Sequence, residues 1–353
     1  VAEVAARLSS ALTRSAAILA ALMALASPAA ACLACIAMPN ESLADKAAAA
    51  DTVALLRPDP NDAFRFVPVA YLKGGPVAEP VPYLVSRPRA AELAADPEAA
   101  VIATWSGPGT WAIHDSGGSV LAATLSDLLA RDLSTPEARR DAYGALINSP
   151  DAAISRMAMI EFATLPYAVL RTSPTRIDRA DVARMVSDPL WTEWAPVAIL
   201  LLGLSDDPAD RAFIRRAATL AAETDRTTHL SAWITALLEG EGETALAWLS
   251  DTWLADTDHP DEVLREIGLA LASHAGRDDA TGAAIRAAAD SLAAARPPVA
   301  AALAQTMADR GDWTLAPDAA RWLAEGRITS PADAFFLTHY ILAAEAAQKE
   351  IQP

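Results

Sequence analysis

Two cysteines, five histidines, one serine flanked by acid and glycines, and a run of carboxylates are the residues of this chain whose types could do chemistry. The cysteines form Cys32-Leu33-Ala34-Cys35. A reactive pair at this spacing opens a helix after a strand, where the helix dipole lowers the thiol pKa, and no strand pattern precedes Cys32. Haem attachment needs a histidine directly after the second cysteine, and Ile36 stands there. The pair is expected to be a terminal disulfide staple, with a redox-active pair as the alternative. In His114-Asp115-Ser116-Gly117-Gly118 the serine has a nucleophile's neighbours. A base histidine would have to lie well upstream, and none precedes His114, so a polar turn is expected.

The other histidines, His229, His259, His274 and His339, are scattered singly, without the short pairings that set two imidazoles on one metal. His274 sits at helical spacing from Ala270 and Leu271, which predicts a packed residue or a partner of the helix dipole. Acids crowd one stretch: Glu239, Glu241, Glu243, Asp251, Asp256, Asp258, Asp261 and Glu262. Asp256-Thr257-Asp258 begins like a calcium loop but lacks the central glycine and distal glutamate, so a solvated acidic rim is expected. No metal, cofactor or catalytic set is expected. Recognition is expected instead at tryptophans and arginines, where binding energy concentrates. The candidates are Trp191, Arg215, Arg216, Trp248, Trp253 and Trp322, with Arg321 nearby, whereas Trp194 and Trp233 occupy equivalent repeat positions and read as core knobs.

The elements that must position these residues begin after residue 31. Arg7 and Arg14 precede the apolar run 16–26, and Ser27, Pro28 and Ala29-Ala30-Ala31 follow with the small residues a signal peptidase accepts. Residues 1–31 therefore read as a secretory signal, which predicts a soluble chain in the periplasm or outside the cell. A lipid anchor on Cys32 is disfavoured by Ala29, where such sites usually carry leucine. Of 353 residues 53 % are hydrophobic, enough to fill real cores, and no later apolar run is long enough to cross a membrane. The net charge is −17 with only three lysines, so no basic stripe exists for nucleic acid. A protein partner is expected.

From 42 to 121 the pattern is a short alanine-rich helix and then alternating apolar residues. Strands are expected over 52–56, 64–72, 81–86, 101–105 and 111–114, with Phe64, Phe66, Ala70 and Leu72 on one face. Pro68 and Pro82 must then lie at edges or bulges. From Ser134 onward the period is helical. Gly203, Gly240, Gly276 and Gly311 each close an apolar helical stretch at spacings of 37, 36 and 35 residues. The residues ahead of Gly203 and Gly240 repeat at i, i+3, i+4, i+7 and i+8, and each glycine is expected to supply a positive φ past a helix end. Ser134-Thr135-Pro136-Glu137 reads as a capping box and Asp207-Pro208 as a second helix start. The last helix, over 333–347, is expected to cover the open end.

The cysteine pair, Ala50-Asp51, Val53-Ala54-Leu55-Leu56 and Phe66-Val67-Pro68-Val69-Ala70-Tyr71-Leu72-Lys73-Gly74 together resemble the netrin-like modules. Those are partly open five-stranded barrels of the oligonucleotide/oligosaccharide-binding type, a fold shared with tissue inhibitors of metalloproteinases. The chain departs from them in having no distant partners for its two cysteines. The helical part is similar to HEAT-type solenoids. The expected fold class is α+β: a signal peptide over 1–31, a small five-stranded β-barrel over 32–121, and an all-α array of helical hairpins over 122–353. The expected function is that of an exported, non-catalytic binding or scaffold protein. The alternative is an inhibitor or redox-active protein acting through Cys32 and Cys35.

Overall fold

The computed structural model describes residues 41–351, apart from 97, 108, 115, 116, 256–258 and 278. The fold is α+β and mostly helical. Helix α1 (Leu43–Ala49) is capped by Ser42, whose side chain accepts from the Asp45 N–H. Five strands follow: β1 (Thr52–Asp59), β2 (Asp62–Lys73), β3 (Val81–Pro82), β4 (Val101–Trp105) and β5 (Ala112–His114), with α2 (Arg87–Ala95) between β3 and β4. They form one antiparallel sheet in the order β3-β2-β1-β4-β5. The expected small five-stranded barrel is found as an open, curled half-barrel. Its edge strands, β3 and β5, hold only two and three residues, too few to pair with each other and complete a ring.

The alternation along the strands sets the two faces. Val53 and Ile102 point into a core shared with α1 and the helical body, whereas Ala54, Leu56, Val101 and Ala103 point into a smaller core with Phe66, Val81, Leu93 and Trp111. Pro68 lies beside the register shift after Leu55, and Pro82 sits on edge strand β3, as neither can donate to a ladder. Phe64 does not join the buried face: it is 84 % exposed near the β1–β2 turn. The expected boundary after residue 121 falls inside α3 (Ser119–Leu129), whose Leu121 and Leu125 are fully buried in the shared core.

The helical body continues with α4 (Pro136–Gly144), α5 (Ala152–Ala163), α6 (Tyr167–Leu170), α7 (Arg179–Ser187), α8 (Ala195–Gly203) and α9 (Pro208–Glu223). Then come α10 (Leu230–Glu241), α11 (Glu243–Leu249), which runs on as a π-helical turn (Ser250–Leu254), α12 (Asp261–His274) and α13 (Ala280–Ala295). Last are α14 (Ala300–Ala308), α15 (Ala316–Ala324) and α16 (Pro331–Ile351). The cap of α4 is Thr135 rather than Ser134, its hydroxyl accepting from the Ala138 N–H at 3.2 Å, while Asp207 caps α9 as expected. Helices α8, α10, α12, α14 and α16 pack each on the next, and α9, α13 and α15 pack alongside them. The second set of helices is needed because a stripe of apolar residues on one helix cannot be buried without neighbours on both sides.

Two of the four repeating glycines, Gly203 and Gly276, mark this packing for a reason other than the expected one. Only Gly311 has a positive φ, +68°. A Cβ on Gly203 would lie 2.8 Å from both Cα and Cβ of Ala236, so α8 and α10 touch backbone to backbone there. A Cβ on Gly276 would meet the Arg310 side chain at 3.0 Å. Gly203→Ala is accordingly expected to destabilise the chain by about 1–3 kcal/mol despite alanine's better helix propensity, because α10's backbone has to move. Urea unfolding measures this, and an unchanged midpoint would show that the two helices are not in close contact.

Candidate functional site

Three buried polar clusters and one open groove gather the functional side chains of the described residues. The first cluster centres on Glu239 in the last turn of α10. Its Oε2 accepts from the Tyr167 hydroxyl at 3.0 Å and Arg171 Nε at 3.2 Å, and its Oε1 accepts from Arg171 Nη2 at 2.8 Å. Arg277 Nη1 and His274 Nδ1 lie 3.8 and 3.7 Å from Oε2. Burial opposes ionisation of Glu239, but the bonds from Arg171 and Tyr167 and the charges around it outweigh that and hold its carboxyl below the usual range.

A tyrosine, a carboxylate and a histidine in contact are the materials of acid–base chemistry, and here the tyrosine and histidine are buried and the carboxylate is half-buried and held by Arg171. The His274 side chain has no exposed surface, and burial lowers its pKa to about 4, so the imidazole is neutral. Its Nε2 lies 2.9 Å from the Thr235 carbonyl, which only accepts, so Nε2 carries the proton and donates it there. His274 is thus the packed residue that was one of the two expectations for it, and the neutral ring is not a cation compensating the dipole of α12. The cluster ties α6, α10 and α12 together.

The second cluster joins the sheet module to the helices. Glu161 of α5, 1 % exposed, accepts from the Ser42 hydroxyl and from Arg139 of α4, and Arg139 also reaches Asp45 of α1 at 3.0 Å. Burial pushes the Glu161 carboxyl up to about 7, Asp45's charge adds to this, and the bonds from Ser42 and Arg139 oppose it. In the third cluster Arg265 of α12 donates through both terminal nitrogens to Asp333 at the start of α16. The acidic stretch is a solvated rim only in part: Glu243, Asp251 and Glu262 are exposed, whereas three other acids have arginine partners. Glu239 is committed as above, Glu241 pairs with Arg215, and Asp261 pairs with Arg296, while Asp256 and Asp258 lie outside the described residues.

The expected recognition residues are not brought together as one surface. Trp253 and Trp322 are 0 % and 1 % exposed and belong to the core, which corrects their assignment as surface. Trp253 stands edge-on to half-buried Trp248, over which the Arg215 guanidinium lies at 5.3 Å. Trp191 is flanked by Arg156 and Arg184 at 5.5 and 5.7 Å from its ring. Arg216 and Arg321 are exposed. Trp194 and Trp233 are buried core residues as expected. Cys32, Cys35, Asp115 and Ser116 lie outside the described residues; His114 Nε2 is 3.0 Å from Thr104 Oγ1.

The open feature is a groove of about 370 Å³ between α14 and α16. Ala304, Ala308 and Ala343 form apolar lining, Phe335, Phe336, His339 and Tyr340 aromatic lining, and Gln305 and Asp309 contribute polar groups. Phe335 and Phe336 remain 63 % and 49 % exposed. Reading α16 at helical period reveals the cause. Asp333, Leu337, Tyr340 and Ala344 face inward, and Phe335, His339, Leu342 and Ala346 form a second stripe on the far side. Phe335 and Leu342 are the large apolar side chains that this outward side leaves open.

Among the described residues no three His, Cys, Asp or Glu side chains gather as a metal site requires, and no helix is long and apolar enough to cross a membrane. Comparisons with protein-family models, with curated proteins and with solved structures find no match to this chain.

Proposed function

We propose that this chain is an exported, non-catalytic binding or scaffold protein that engages a protein partner through the surface of its helices. In this reading the helices over 122–353 form a HEAT-like array of hairpins, and the sheet module is of the netrin-like, oligonucleotide/oligosaccharide-binding type. Export to the periplasm or beyond follows from the signal-like pattern of residues 1–31. One contrast carries the reading. The tyrosine and histidine that come together are buried, the carboxylate between them is half-buried, and all three are spent on joining helices, whereas the large apolar side chains at the end of the helix row stand open. Proteins that stack helical hairpins offer extended surfaces to partners, and exposed apolar patches rimmed by polar groups are what such partners cover.

The test is photo-crosslinking in intact envelope, with a photoreactive amino acid at Arg216, Trp248 or Phe336. The expected result is a discrete adduct with one protein from at least one of these positions and none from the others. No adduct from any of the three, in chain shown to be folded and exported, would sink the proposal.

A further inference from the structure

The groove between α14 and α16 has features that define what it takes, on the reading that this chain binds a protein partner. Each of α8, α10, α12 and α14 is covered by the next helix in the row, and α16 is covered by none among the described residues. Its outward stripe places Phe335, His339, Leu342 and Ala346 at i, i+4, i+7 and i+11, the spacing by which one helix receives another. Phe335, Leu342 and Phe336 are each about half exposed or more, so the stripe is open along more than two helical turns.

The charge around the groove selects the occupant. Asp309 lines it, and its carboxylate has neither a hydrogen bond nor an ion pair to the described residues. Partial burial raises its pKa, with Arg310's charge opposing. Arg310 itself is turned to the Ala272 carbonyl, and the only lysine of α16, Lys349, lies near the far end of the helix. A second copy of this chain would bring its own net charge of −17 and a second Asp309 to the same face, which argues against self-association.

We infer that the α14–α16 groove receives an amphipathic helix of a partner protein, which seats apolar side chains against Phe335 and Phe336 and offers a lysine or arginine to Asp309. Burial of the two phenylalanines supplies the affinity. The Asp309 contact supplies the preference for a basic over an acidic helix.

Three synthetic helical peptides sharing one leucine stripe, flanked by lysines, serines or glutamates, test this against the full chain by fluorescence anisotropy at physiological salt. The lysine peptide is expected to bind most tightly and the glutamate peptide least. Phe335→Ser, at an exposed position that leaves the circular dichroism unchanged, is expected to weaken the lysine peptide about tenfold or more. Asp309→Asn is expected to reduce the lysine-over-serine preference by about two- to fivefold. Equal binding of all three peptides, binding indifferent to Phe335→Ser, or no binding at all overturns the inference. Sedimentation showing a dimer that Phe335→Ser dissolves overturns it too, and assigns the face to self-association. A crosslink from Phe336 to a partner that none of the peptides displaces removes the helix as occupant while leaving the broader binding reading intact.

Discussion

Arg139→Ala is expected to destabilise the chain by about 3–5 kcal/mol at pH 8 and by only about 1 kcal/mol at pH 5. The reason lies in what the substitution leaves behind. Glu161 is 1 % exposed, and its partners are the Ser42 hydroxyl and the Arg139 guanidinium. Asp45 of α1 and Tyr143 of α4 are the other titratable groups around it, and Asp45 adds a like charge. Without Arg139 a carboxylate would be buried with a single neutral donor, which is the costly half of any buried ion pair. Acid removes the problem by protonating the carboxyl.

The sign follows from linkage. The Glu161 carboxyl, pushed up to about 7 by burial, sits above its unfolded value, so the folded chain holds more protons between about pH 4.5 and 7. Its contribution to stability is therefore full at the acid end of that window and is lost as pH rises through 7. Removing Arg139 takes away a group that lowers this pKa, so the window widens upward. Urea unfolding at the two pH values reads the difference, and Arg139→Ala in a Glu161→Gln background should show little of it. An equal loss at both pH values would mean that packing of the Arg139 stem, rather than the carboxylate, explains the effect. Because α1, α4 and α5 all meet here, the same measurement reports how the sheet module is held to the helices.

How much of this was legible follows the range of the interactions. Four of the five strands stand close to where alternation put them, because a strand's period of two is written in adjacent residues, while the third keeps only Val81–Pro82 of the expected 81–86; Pro68 and Pro82 sit at irregular or edge positions for a local reason. The helices before Gly203 and Gly240 were equally legible. How far the sheet curls toward a ring was not, since it depends on the lengths of β3 and β5, which only hydrogen bonding across the sheet determines. The role of Gly203 was misread because its spacing is visible in the chain while Ala236, the atom set it makes room for, is 33 residues away.

The site was harder still. Trp253 and Trp322 have the side chains of recognition residues, and nothing along the chain says that the π-helical turn carries one, or α15 the other, inward. The carboxylates at 239, 241 and 261 looked like a solvated run because their arginine partners, at 171, 215 and 296, lie 26 to 68 residues away in sequence. Ion pairs of that separation leave no periodic trace. The open stripe of α16 did leave one, and was hidden only by treating the last helix as a cover.

Glu239→Ala is the second large expectation, a loss of about 3–5 kcal/mol at neutral pH. The substitution strips two donors of Arg171 and the Tyr167 hydroxyl of their acceptor and leaves Arg171 and Arg277 facing one another across a space beside neutral His274. His274 cannot compensate by protonating, because burial holds its pKa near 4 and Glu239 is the charge that opposes that shift. Its folded value lies below the unfolded one, so the folded chain holds fewer protons between about pH 6.5 and 4, and stability falls on acidification through that window. With Glu239 gone the folded value drops further and the acid loss extends to lower pH. Arg171→Ala in the Glu239→Ala background should cost less than the two single losses added, since neither then strands a buried charge. Hydrogen exchange locates the damage. In a row whose helices depend on their neighbours, exchange should quicken first in 167–171, 230–241 and 261–274, while 331–349 keeps its protection and the groove keeps its peptide. Uniform loss of protection along the whole helical body would show instead that these helices unfold as one unit, and that Glu239 serves a single core rather than a joint between adjacent members of a row.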